Sequence, residues 1–113
     1  MSTLAYADEA RRIRELAPLT ERDIARGTGA ARSTVGAWLQ RTRAPSGVRA
    51  DRVVELAALV DQLARVLAPE AIPVWLNRPM PALGHRRPLD VLAAGDYEQL
   101  AALADELAYP TLT

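Results

Sequence analysis

An all-α fold is predicted by three features of this 113-residue sequence. Apolar residues recur at helical spacing in every long segment, prolines and glycines fall where helices would end, and no β-rich stretch or internal repeat interrupts the pattern. Half of the residues are apolar, so a chain of this length can bury a real core.

The elements follow in order. Ser2 or Thr3 is placed to cap a first helix in which Tyr6, Ala10, Ile13 and Ala17 recur at helical spacing, and Pro18 ends it. Arg11, Arg12 and Arg14 lie off that stripe, as a solvated face or as phosphate contacts. Thr20 and Asp23 have the spacing of a capping box, with Asp in place of the usual Glu, and so open a second helix that runs to about Thr28. Gly29 suits the sharp turn that follows. A third helix covers Arg32 to Gln40, with Val35, Trp38 and Leu39 inward and Arg32, Ser33, Thr34, Gly36, Ala37 and Gln40 on its outer face.

Ile24, Ala25, Gly29, Val35 and Trp38 together have the identities and offsets of a helix-turn-helix. Small residues let the third helix sit deep in a major groove, where Arg32, Ser33 and Thr34 reach base edges or phosphates. Arg41 and Arg43, in a linker with Pro45, Ser46 and Gly47, either follow a phosphate backbone or are simply solvated. Two features argue for weak DNA binding: Ala31 replaces a capping hydroxyl, forgoing about 1 kcal/mol, and Gly36 and Ala37 stand where longer side chains would read bases. Useful specificity then requires a two-fold dimer presenting two readers about 34 Å apart.

The longest helix is expected from Val48 to Leu67. Val53, Leu56, Ala57, Val60, Leu63, Ala64 and Leu67 form one apolar stripe; Val54, Leu59 and Val66 form another. Two stripes imply burial on two sides, which makes this helix a spine for the reader, the C-terminal part or a second subunit. Pro69 and Pro73 break it. Ile72, Val74, Trp75 and Leu76 then form a short helix or turn before the loop NRPMPALGHRRP. Pro88 opens a short helix over Leu89 to Ala94, closed by Gly95. Asp96 caps a last helix with the stripe Tyr97, Leu100, Ala101, Ala104, Leu107 and Ala108, which Pro110 stops. The resulting division is a reader region at 1–47, a spine at 48–68 and a C-terminal region at 69–113 with a tail at 109–113.

Composition narrows the function. Formal net charge is zero, yet residues 1–52 carry ten Arg against six acids and residues 53–113 four Arg against eight. Polyanions should prefer the first half, and the second is built for something other than a phosphate backbone. With no cysteine there is no disulfide framework and no thiolate site, and the lone His85 cannot build a metal cluster. No cofactor or metal is expected. The N-terminus lacks the basic flank and apolar core of a signal peptide, and no apolar run approaches the roughly 20 residues of a membrane span, which points to the cytoplasm.

Catalysis is not expected either. Asp90 with Asp96, or Asp105 with Glu106, makes a carboxylate pair on exposed helix turns without a basic or nucleophilic companion, so these read as caps and solvated charges. His85, beside two arginines in a loop, reads as structural or exposed, and there is no phosphate-binding glycine loop.

Trp75 and Leu76, then Pro81, Leu83, Gly84, Arg86 and Pro88, then Leu89, Leu92 and Gly95, resemble the Xre-MbcA-ParS toxin-binding family. That family carries a tryptophan-leucine, a proline-rich loop, a leucine-glycine-glycine-arginine-threonine-proline segment and a small-residue-glycine stop, after an Xre-like helix-turn-helix. Here His85 and Arg87 stand in place of a glycine and the threonine. The resemblance runs from about Leu19 to Thr113 and implies an antitoxin without catalysis of its own, whose partner is a RES-domain toxin that consumes NAD. It implies further that the C-terminal region clasps the toxin while the chain end blocks its NAD pocket, and that paired N-terminal regions bind the operon's promoter DNA as a homodimer. Tyr109, Pro110, Thr111, Leu112 and Thr113 are then the plug, and Trp75, Leu83, Arg86 and Arg87 support the toxin-facing surface or its fold. Without the resemblance the tail reads as a frayed terminus. Two other readings remain: a free-standing dimeric transcriptional regulator, and a DNA-partition adaptor of the kind the ParS branch suggests.

Overall fold

The computed structural model describes residues 4–110, and the all-α expectation holds throughout them. Seven α-helices follow one another: α1 (Leu4–Leu16), α2 (Glu21–Thr28), α3 (Arg32–Leu39), α4 (Gly47–Ala64), α5 (Ala71–Asn77), α6 (Pro88–Ala93) and α7 (Tyr97–Ala108), with a single 3-10 turn at Pro81–Leu83. The Ser2 and Thr3 caps and the tail residues Thr111, Leu112 and Thr113 lie outside the described residues. Among the described residues no helix is long and apolar enough to cross a membrane, and no group of three or more His, Cys, Asp or Glu is placed to hold a metal ion.

Local chemistry explains the boundaries. Thr20 Oγ1 accepts the Asp23 amide at 3.1 Å while the Asp23 carboxylate accepts the Thr20 amide at 3.0 Å, so the capping box forms with the shorter acid. Gly29 closes α2 at φ +76°, a left-handed conformation glycine adopts without steric cost, and its amide donates to the Ala25 carbonyl at 2.9 Å. Ala31 offers α3 no side-chain cap, as expected.

Three expectations need correction at the helix ends. Pro73 does not break the chain: it sits in the first turn of α5, where the missing amide hydrogen has no intrahelical partner to lose. Asp96 occupies the cap position of α7 without a side-chain cap bond, because its carboxylate accepts from the Gln99 side-chain Nε2 at 2.8 Å instead. Leu107 is not inward but exposed.

α4 is the spine. α1, α2, α5, α6 and α7 all pack against it, and Val53, Leu56, Ala57, Leu59, Val60 and Leu63 are buried. One continuous apolar cluster reaches from Ile13 and Leu19 through Ile24, Val35 and Trp38, across α4, to Ile72, Leu76, Leu83, Leu89, Leu92 and Leu100. The second predicted stripe splits: Leu59 is fully buried, whereas Val54 and Val66 remain 42% and 39% exposed. The cause is geometric, since the neighbouring helices of a single chain cover α4 from one side and its flanks only.

Candidate functional site

The face on which the sequence places the DNA-contacting residues is built by α2 and α3. Arg32 and Ser33 are exposed at the start of α3 and Thr34 is half-buried behind them; Gln40, Arg41 and Arg43 are exposed just beyond its other end. Eight helical residues separate the two groups by about 12 Å, so the structure places polar donors at both ends of one short helix. Two details set their charge. Arg41, at φ +63°, reaches Asp8 of α1 at 3.0 Å and is therefore partly engaged within the chain. Gly36 is not on open surface: a Cβ there would lie 3.3 Å from the Glu21 carboxylate, so an acid borders the middle of α3. Arg12, on the α1 face, reaches Asp61 of α4 at 3.2 Å.

In the C-terminal region, Trp75 is half-buried against the core and Leu83 is fully packed, so Leu83 supports the fold rather than a surface. Around Leu83 the chain forms a tight hairpin from Met80 to Arg86. The Met80 amide donates to the Arg86 carbonyl at 3.1 Å and the His85 amide to the Met80 carbonyl at 2.8 Å. Gly84 and His85 both take the left-handed conformation, at φ +66° and +65°, so the turn that glycine-glycine would favour forms with histidine at its second position. Arg86 braces this turn, its Nε donating to the Leu83 carbonyl at 3.0 Å, while Arg87 leads into Pro88 at the start of α6. Tyr109 and Pro110 stand exposed beyond α7, held by the Tyr109 amide on the Asp105 carbonyl at 2.8 Å.

Residues that pattern reading missed join the two regions. Asp90 is no solvated cap: it accepts from Arg26 Nε at 2.6 Å and Nη2 at 3.3 Å, a fork that ties α6 to α2. That hydrogen bond, with the carboxylate charge, raises the Arg26 pKa further above its already high ordinary value. Asn77, at the end of α5, donates to the Asp23 carboxylate at 3.2 Å, so the same acid that caps α2 also holds the start of the hairpin. Between these contacts Gly27 lets α6 approach α2 closely. Only the lack of a side chain at Gly27 within a helical stretch hints at this in the sequence.

No protein-family model matches the chain. Over 90 residues, 80% of this chain and 80% of each relative, it is 32% identical to the mycobacterial cidal antitoxin MbcA of Mycobacterium bovis and of Mycobacterium tuberculosis. The chain belongs to the MbcA antitoxin family. The MbcA likeness is also three-dimensional: the crystal structure of the M. tuberculosis MbcT-MbcA toxin-antitoxin complex contains a chain that matches with a TM-score of 0.82 at 29% identity, covering 95% of this chain and 96% of that one. With such coverage the likeness to MbcA extends over both the helix-turn-helix and the C-terminal helices, and the family expected from the Trp75 to Gly95 motifs is the family found.

Proposed function

We propose that this chain is an antitoxin that neutralises a cognate RES-domain, NAD-consuming toxin by direct binding, with the tail blocking the toxin's active site, and that it represses its own operon through the helix-turn-helix. The observation that carries the reading is the likeness to MbcA across four fifths of the chain, joined to a complex of MbcA with the toxin MbcT. The chain acts as a protein inhibitor and not as an enzyme. Residues 69–113 form the toxin-binding region, 48–68 the spine and 1–47 the DNA-binding region. Trp75, Arg86 and Arg87 lie on or beside the hairpin surface offered to toxin, with Leu83 beneath it. The tail from Tyr109 to Thr113 carries hydroxyls and one leucine, which suits a pocket shaped for a nucleotide. Promoter binding is weak for one copy and requires a homodimer, because Ala31, Gly36 and the neighbouring Glu21 limit what α3 can grip.

Deleting residues 109–113 tests the plug. Tyr109 is 79% exposed and α7 ends at Ala108, so the truncated chain should keep its melting temperature. In cells co-expressing the toxin, NAD depletion and growth arrest should return although the complex still co-purifies. If the truncated chain silences NAD consumption at equal occupancy, the tail is not the inhibitor. For the reader, Arg32→Ala should weaken binding to the native promoter fragment in a gel shift and lower the salt slope by about 1. Unchanged affinity and slope would remove Arg32 from the interface.

A further inference from the structure

Arg32, Gly36 and Gln40 follow one another at four-residue spacing, so they lie along one side of α3, about 6 Å apart. Arg32 and Gln40 are exposed there, and Gly36 between them carries no side chain. A group from α2 fills the gap. Thr20 and Asp23 fix the first turn of α2 in a capping box, and Glu21 is the first residue of that helix. Its Oε2 lies 3.3 Å and its Oε1 3.8 Å from the point that a Cβ on Gly36 would occupy. Both carboxylate oxygens therefore lie beside the bare position between Arg32 and Gln40. Glu21 is half-buried, and no ion pair among the described residues engages it.

We infer that Glu21 reads the exocyclic amino group of one DNA base from α2, in place of the side chain that Gly36 lacks. The inference rests on the promoter binding proposed above and names what the middle of that face recognises. A carboxylate carried into a major groove meets few partners that accept it. Phosphates repel it, and so do the acceptor atoms of guanine and thymine. Only cytosine and adenine present an amino donor there. Without such a donor the carboxylate loses its water and gains nothing, which penalises the wrong base more than it rewards the right one.

Cytosine is the better match. The adenine amino group stands beside a ring-nitrogen acceptor on the same edge, which suits an amide side chain and repels a carboxylate, whereas the cytosine edge has no acceptor of its own there. An acid in the first turn of α2 also complements the helix dipole. That role is indifferent to DNA sequence, so base preference separates the two. The small reading face thus gains a selective group that α3 itself does not supply.

The test equilibrates the full chain with a pool of duplexes in which each position of the native promoter fragment is randomised, and sequences the bound fraction. The wild-type chain should enrich cytosine at one position of the site. Glu21→Ala should lose that preference, about tenfold, and keep the preferences at other positions. Its melting temperature should stay within about 4 °C of wild type, the most that the dipole contribution accounts for. A gel shift then probes the amino group itself, with a duplex whose cytosine is replaced by the pyrimidinone that lacks it. The wild-type chain should bind this duplex about tenfold more weakly than the parent, and Glu21→Ala should bind both alike. If the enriched base is adenine, unsubstituted purine in its place should give the same loss, and the reading holds with adenine as the base. Unchanged preferences in Glu21→Ala, or equal wild-type binding with and without the amino group, overturn the assignment and leave promoter binding standing. A Glu21→Ala chain that binds every duplex more tightly by the same factor also overturns it, since the carboxylate then only repels phosphate. A wild-type chain that binds no duplex overturns the promoter reading and this one with it.

Discussion

Gly27→Leu is expected to destabilise the protein by about 3 kcal/mol or more, the upper end of what overpacking a closed core costs. A Cβ on Gly27 would already lie 3.0 Å from Leu89 Cδ2 and 3.3 Å from Leu92 Cδ2, with Leu56 Cδ2 at 3.7 Å. All three leucines are fully buried, so none has room to swing aside. A leucine must push α6 away from α2, and the Arg26–Asp90 fork, made at 2.6 Å, opens with it. For a chain of this size the loss corresponds to a fall in melting temperature of about 12 °C. Gly27→Ala is the control: its single methyl is opposed by the same contacts but gains about 1 kcal/mol of helix propensity, so the net change should be near zero. A Gly27→Leu melt within about 2 °C of wild type would show that α2 and α6 are not closely packed in solution.

The same contact shows why part of this molecule was readable from its sequence and part was not. The helix-turn-helix is legible because its signals are local. Thr20 and Asp23 are three residues apart, Gly29 follows the last turn of α2, and Val35 and Trp38 repeat at one-turn spacing, so propensity, capping and pattern agree within some twenty residues. The stretch before α6 was legible only as a proline- and glycine-rich loop, because the Met80–Arg86 pairing that makes it a hairpin leaves no periodic signal. By contrast, Arg26 and Asp90 are 64 positions apart and Asn77 and Asp23 are 54 apart, and nothing in periodicity links such pairs. Asp90 therefore read as a cap or a solvated charge, and no local pattern singled out Gly27. The outer stripe of α4 failed differently: two apolar stripes were correctly seen, but pattern alone cannot distinguish a stripe covered within the chain from one left at its surface. Val54 and Val66 belong to the second kind.

Trp38→Ala is expected to have the largest effect on stability, about 3 to 5 kcal/mol, because it removes a large, 1% exposed side chain from a core that cannot collapse around the gap. That is a large share of the 5 to 15 kcal/mol that holds a typical domain. Its reach is the more informative part. Trp38 belongs to the same apolar cluster as Leu56, Leu89 and Leu100, and α3 packs on α1 and α2, which in turn pack on α4, so damage in α3 is passed on to the helices of the C-terminal region. The chain has two tryptophans, and the substitution leaves Trp75 of α5 as the sole indole reporter. Its emission should shift at lower denaturant than in Trp38→Phe, together with the far-ultraviolet dichroism, as one transition. Toxin neutralisation should then weaken along with promoter binding, whereas Arg32→Ala, on the exposed face of α3, should weaken promoter binding alone. If Trp75 unfolds at the same denaturant concentration in Trp38→Ala as in Trp38→Phe while helical signal is lost earlier, the helix-turn-helix and the C-terminal helices are separate folding units despite their shared core.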